Sequence, residues 1–268
     1  MYAIESNALT VTILDPVVDR DRMGVRYCTG GYIFQINDPD GPLLSGPTYP
    51  ESFNWFDGQG IPDSFFLRPL RDSNDPGAEA LIPGVGVCDT AAPSVLEFCD
   101  WQVDAKLDRV EFFAEHEWGG YRFTLERTVS VAGRVVRSET RIANAGELQF
   151  PICWFPHPFY PLPACDDLCS LPAPVTVPDG TTYTVGPTGY LRCADLGARQ
   201  AVPVACSAAG PFAVLYRHPR VGLVAARYDY SASHVLVWGN LNTFSFEPYL
   251  ERTVGVGMSA SWSAEYHF

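Results

Sequence analysis

The chain has 268 residues, enough to bury a sizeable core, and a formal charge of −13, which works against nucleic acid or an anionic membrane surface as partner. Hydrophobic residues at 47% with only 18% charged exclude the disordered class. The 23 glycines and 23 prolines, many beside aromatic or β-branched runs, suit short strands better than long helices.

From the N-terminus, Met1 to Asp15 shows no basic start followed by an apolar stretch, and later apolar runs are too short to span a bilayer. The expected location is therefore the cytoplasm. Strands are expected over Leu9–Leu14 and Gly31–Asn37. Asp38–Asn74, rich in proline, glycine and aromatics, fits no regular element, and Pro76–Leu81 has room for one or two helical turns. A strand is expected over Arg109–Ala114. The same kind of alternation runs through Tyr121, Phe123, Leu125, Val129 and Val131, breaks at Ala132 and Gly133, and resumes from Arg134 to Ile142, as in a hairpin. Pro161–Asp179 again resists assignment. Further strands are expected over Thr181–Val185, Phe212–Tyr216, Gly222–Tyr228, Val235–Trp238 and Thr243–Glu247. From Met258 to Phe268, apolar residues alternate with Ser259, Ser261, Ser263, Glu265 and His267.

No linker divides the chain and no segment repeats at a fixed period, so residues 1–268 read as one domain. The strand count and length point to an all-β fold, a large antiparallel sandwich with little helix and a concave face open to a ligand. The eight cysteines read as reduced thiols, because the chain is large and lacks an export pattern. Cys165 and Cys169 are one residue too far apart for a CxxC pair, and no structural metal is expected.

Five histidines limit the search for an acid or base. His267 falls on the polar face of the last strand, and His218, in Arg-His-Pro-Arg, reads as a surface turn residue. His234 begins a strand. His116 lies between Glu115 and Glu117, whose charges would raise its pKa, but strand neighbours point to opposite faces. His157 differs: it is fixed between Pro156 and Pro158 and flanked by Trp154, Phe155, Phe159 and Tyr160, in a stiff, aromatic setting against which a sugar ring could stack. A packed loop histidine fits the same motif. Glu247 ends an alternating strand between Phe246 and Pro248, where partial desolvation suits a base with a raised pKa; an ion pair with Arg252 is the bland alternative. The hydrolase GxSxG, dinucleotide GxGxxG and P-loop motifs are missing.

In chain order, five segments together resemble the aldose 1-epimerase (galactose mutarotase-like) family over nearly the whole length. They are Arg26-Tyr-Cys-Thr-Gly-Gly-Tyr-Ile-Phe, Gly58-Gln-Gly-Ile-Pro-Asp-Ser-Phe, Leu81-Ile-Pro-Gly-Val-Gly-Val, Asn144-Ala-Gly-Glu-Leu-Gln-Phe-Pro leading to His157-Pro-Phe, and Phe246-Glu-Pro-Tyr. The resemblance implies a β-supersandwich that binds a small-molecule carbohydrate without metal or organic cofactor. It implies Glu247 as the base that takes the anomeric proton and His157 as the acid that protonates the ring oxygen, with His157 charged and Glu247 ionised. Ring opening and closure from the other face would then exchange the α and β anomers. Where many members carry a further histidine before a glycine, Ile82-Pro-Gly-Val-Gly-Val-Cys88 carries none. Sugar contacts are expected instead from Trp55, Gln59, Trp238 and Asn240. Two other readings stay open: a non-catalytic carbohydrate-binding protein on the same fold, and a sugar-phosphate mutarotase in which Arg68 and Arg71 converge on the phosphate.

Overall fold

In a computed structural model, residues 1–268 are described except 21–22, 47–57, 73, 75–76, 173, 199 and 207–209. The alternating segments pair as their pattern demands. Tyr121–Ala132 and Val135–Asn144 form the expected hairpin, closed at the Ala132 and Val135 pair, and along each strand buried residues alternate with partly or fully exposed ones. They lie within a ten-stranded antiparallel sheet. Arg109–Trp118 flanks the hairpin on one side, and Ser259–His267 joins it to Gly222–Tyr228 and Phe212–His218 on the other. Four smaller sheets, of three or four strands each, accompany it. A continuous apolar cluster draws on all five sheets, from Ile4 through Leu81, Phe150, Val235 and Phe246 to Tyr266. Among the described residues there is no α-helix, and Leu196–Ala198 forms a short 3-10 turn.

Several local expectations need correction. The helical turns expected over Pro76–Leu81 are not found in the described part: Glu79–Ile82 is a strand, hairpinned to Gly86–Asp89 with Ala80, Leu81 and Ile82 buried. Burial of three successive apolar residues overrides the local pattern. The two unassigned stretches hold short strands, Gly41–Pro42 and Asp63–Ser64 in the first, Asp167–Ser170 and Val175–Thr176 in the second. Alternation also fails in the last strand, where Trp262, Ser263 and Ala264 are buried in succession. Ser263 tolerates this because Asp229 accepts from both its N–H, at 2.7 Å, and its hydroxyl, at 2.8 Å.

The smaller sheets carry the residues around His157 and Glu247. Phe150–Pro156 lies between Leu250–Val254 and Asp63–Ser64, and Phe244–Pro248 pairs with Val235–Gly239. Tyr160 and Phe244 exchange backbone bonds of 3.0 Å in both directions, tying the chain just past His157 to the strand that carries Glu247.

Candidate active site

Every residue of Phe244–Pro248 is buried. Its register sets Glu247 opposite Leu236 and Ser245 opposite Trp238, so these four side chains share one face. On the facing strand, Val235, Val237 and Gly239 are buried, while Leu236 and Trp238 keep partial exposure. His157 follows Pro156 and is held by its own N–H, which donates to the Pro62 carbonyl at 2.8 Å. Its ring stacks on Phe159 at a centroid distance of 4.3 Å and meets Trp238 and Tyr27 edge-on at 6.0 Å.

The two chemically active groups touch. His157 Nε2 lies 3.2 Å from Glu247 Oε1, and both side chains are buried, 4% and 3% exposed. Ser245 Oγ sits 3.3 Å from His157 Nδ1, and the Tyr249 hydroxyl donates to Glu247 Oε2 at 3.3 Å. Tyr249 is itself stacked between Phe155 and His234, at 4.5 and 4.2 Å. The pair borders a cavity of about 310 Å³ whose other walls are Arg26, Phe159, Ala201, Leu236, Trp238 and Tyr249. Hexose-sized ligands fit such a volume, and aromatic walls suit the apolar face of a sugar ring.

Burial opposes the charged states expected from the sequence. It pulls the His157 imidazole well below its usual value, and the nearby Arg26 charge pulls it further. Burial pushes the Glu247 carboxyl up to about 7, against the opposing influence of Arg26 and the Tyr249 hydroxyl. Mutual contact favours the ion pair, but desolvating two charges costs several kcal/mol each. In the free site burial therefore favours the neutral pair, a protonated Glu247 beside an uncharged His157, over a carboxylate beside an imidazolium.

The remaining expectations divide. Trp238 borders the cavity. Gln59 and Asn240 are buried but do not line it: the Gln59 carbonyl accepts from the Tyr32 hydroxyl at 2.9 Å, and Asn240 Oδ1 accepts from the N–H groups of Asn242 and Thr243, forming a turn. Trp55 lies outside the described residues. Arg252 does not pair with Glu247, whose partners are His157 and Tyr249. Arg68 pairs with Glu251, and Arg71 donates to the Gly77 carbonyl and to Thr90, so neither reaches the cavity.

Of the other histidines, His218 departs from expectation, while His116 faces away from its acidic neighbours as its strand implies. His218 is buried rather than a surface turn residue, with Nε2 2.8 Å from the Leu43 carbonyl. His116 is buried and stacked on Phe123 at 4.8 Å, and burial lowers its pKa to about 4. The charges of Glu115 and Glu117 do not raise it, because both side chains turn to the other face toward Arg122.

Arg26, Ser245 and Tyr249 escaped the sequence reading as site residues. For the last two a signal existed, since they stand two residues either side of Glu247 and a strand's period of two returns them to its face. Arg26 opens the first of the five resembling segments, but nothing local marked it as a cavity residue, and a loop far back in the chain brings it there.

No family model matches this chain, and no curated protein matches it. Solved structures do. A galactose mutarotase related enzyme from Lactobacillus acidophilus aligns with a TM-score of 0.65 at 15% identity, covering 100% of this chain and 97% of that one. A galactose mutarotase-like protein from Lactobacillus casei aligns with a TM-score of 0.60 at 13% identity, covering 100% and 99%. The GalM/aldose epimerase homologue from C. elegans gives 0.55 at 11% identity, covering 99% and 97%. The architecture is thus the galactose mutarotase-like fold that the sequence motifs implied.

Proposed function

We propose that this chain, which has the galactose mutarotase-like fold, is a cofactor-independent aldose 1-epimerase, with residues 1–268 acting as one sugar-binding unit and His157 and Glu247 as its acid–base pair. The observation that carries this reading is their 3.2 Å contact at the edge of a sugar-sized, aromatic-walled cavity. A fold alone would not carry it, since one fold hosts many activities.

The chemistry needs one proton on the pair. In the free site burial favours that proton on Glu247. The contact offers a direct path for it from Oε1 to Nε2, producing a carboxylate and an imidazolium. The carboxylate removes the anomeric hydroxyl proton as the bond from the anomeric carbon to the ring oxygen breaks, and the imidazolium protonates that oxygen. Protonated Glu247 and neutral His157 result, the arrangement burial prefers, so the open-chain aldehyde meets the site in its resting form. Rotation about the bond to the next carbon and closure by the reverse transfers give the other anomer.

The test is anomer exchange followed by polarimetry or NMR over a panel of free aldoses. Wild-type protein accelerates exchange of at least one sugar, and Glu247→Gln and His157→Asn each lose about 10²–10⁴-fold. Exchange unaffected by both variants would remove the roles assigned here. Saturable sugar binding without acceleration would favour a non-catalytic carbohydrate-binding protein.

A further inference from the structure

The interior holds a second constellation that the acid–base chemistry does not use. Asp63 and Arg127 form an ion pair in the interior, their side chains 4% and 1% exposed. Arg127 belongs to the Tyr121–Ala132 strand in the ten-stranded sheet, and its guanidinium also donates to Ser138 Oγ at 3.0 Å on the adjacent strand. The backbone of Gly31 closes over that guanidinium, so that a Cβ there would stand 3.4 Å from its central carbon. The cation is therefore anchored to the largest sheet of the protein.

Residues 62–64 distribute that anchor. The Asp63 carbonyl accepts the Cys28 N–H at 2.8 Å, two residues beyond Arg26, and the Ser64 hydroxyl donates to the Arg26 carbonyl at 2.7 Å. In the other direction Asp63 pairs with Pro156, and the Pro62 carbonyl accepts the His157 N–H at 2.8 Å. Arg26 and His157 arrive from distant parts of the chain, yet both hang from this one three-residue segment. We infer that Asp63 is a positioning residue: its buried pair with Arg127 fixes the 62–64 segment, and through it the placement of Arg26 and His157 relative to Glu247. A buried ion pair is a weak source of stability compared with apolar packing, but its fixed geometry suits it to orienting a loop.

The test uses the full chain. Asp63→Asn leaves the Arg127 charge buried and unpaired, and is expected to lower Tm. The double variant Asp63→Asn/Arg127→Met removes both charges, and Ser64→Ala cuts the bond to the Arg26 carbonyl together with the longer one, 3.3 Å, that Ser64 Oγ accepts from the Phe66 N–H. Val214→Ala, a cavity in the core of the ten-stranded sheet, is the stability control. The readouts are Tm, the NMR signals of the His157 ring, assigned by their loss in His157→Asn, and kcat and KM for anomer exchange. In the double variant Tm returns toward the wild-type value, yet the His157 signals shift and kcat falls about tenfold or more, with KM within about threefold. Ser64→Ala moves the same readouts less, and Val214→Ala leaves the ring signals and kcat unchanged. Wild-type ring signals in both the double variant and Ser64→Ala would overturn the inference. Its kinetic arm rests on the proposed epimerase reading; a wild-type protein that accelerates no sugar would remove that reading, while the ring signals would still decide the role of Asp63.

Discussion

Ser245 and Glu247, two residues apart on one face of the same strand, bond to different nitrogens of one ring: Ser245 Oγ lies 3.3 Å from His157 Nδ1, and Glu247 Oε1 3.2 Å from Nε2. A hydroxyl can donate or accept, so Ser245 satisfies Nδ1 whichever nitrogen carries the proton. The ring can therefore change protonation at Nε2 without losing its orientation. Ser245→Ala is expected to lower kcat for anomer exchange about tenfold with little change in KM, as measured by NMR exchange. A rise in KM at constant kcat would assign Ser245 to sugar binding instead.

The pair also dictates the pH dependence. Glu247 titrates near 7, so its proton is lost as pH rises through that value, and His157 takes a second proton only well below its usual range. The form with one proton is thus the acidic-to-neutral one. The rate constant kcat/KM is expected to decline above about pH 7, and Glu247→Gln is expected to abolish that limb. The same shift acts on stability with the opposite sense to an ordinary ion pair. Because the folded carboxyl holds its proton more tightly than the unfolded one, this group's contribution is full below about pH 4.5 and is lost as pH rises to about 7. Isothermal denaturation of wild type and Glu247→Gln across that window would detect it.

Phe159 transmits packing to the His157 ring. A Cβ at Gly58 would stand 2.6 Å from the Phe159 ring, which stacks on His157 at 4.3 Å. Gly58→Ala is expected to cost about 1–3 kcal/mol of stability and to lower activity, because the added methyl presses on the buried ring that stacks on the imidazole. Denaturant midpoints together with anomer-exchange rates check both effects.

His116 contributes stability at neutral pH through the lowering of its pKa to about 4 in a site that is almost wholly buried. The unfolded histidine binds protons below about 6.5, so stability is lost as pH falls from there toward 4, by roughly 3 kcal/mol. His116→Phe keeps a ring against Phe123 and is expected to flatten this acid limb. Comparing the melting temperatures of the two proteins at pH 7 and pH 4.5 measures the difference.

What could be read in the chain by itself followed from local periodicity and local chemistry. Alternation over Tyr121–Val131 and Arg134–Ile142 identified the central hairpin, because side chains on a strand change face at every residue whatever lies beyond it. Proline on both sides of His157 and after Glu247 marked two unusual polar groups in aromatic surroundings. Tertiary structure decided the rest. It brought Arg26 to the cavity, joined the two marked residues across a single hydrogen bond, and turned Asn240 and Gln59 to other duties. It also hid His218 against Leu43 and buried His116 against Phe123. The physical reason is that solvent exposure, and with it the cost of holding charge, depends on which distant segments pack together, and no nearest-neighbour pattern encodes that. For the same reason burial sets His157 and Glu247 against the charges that the resemblance implied for them.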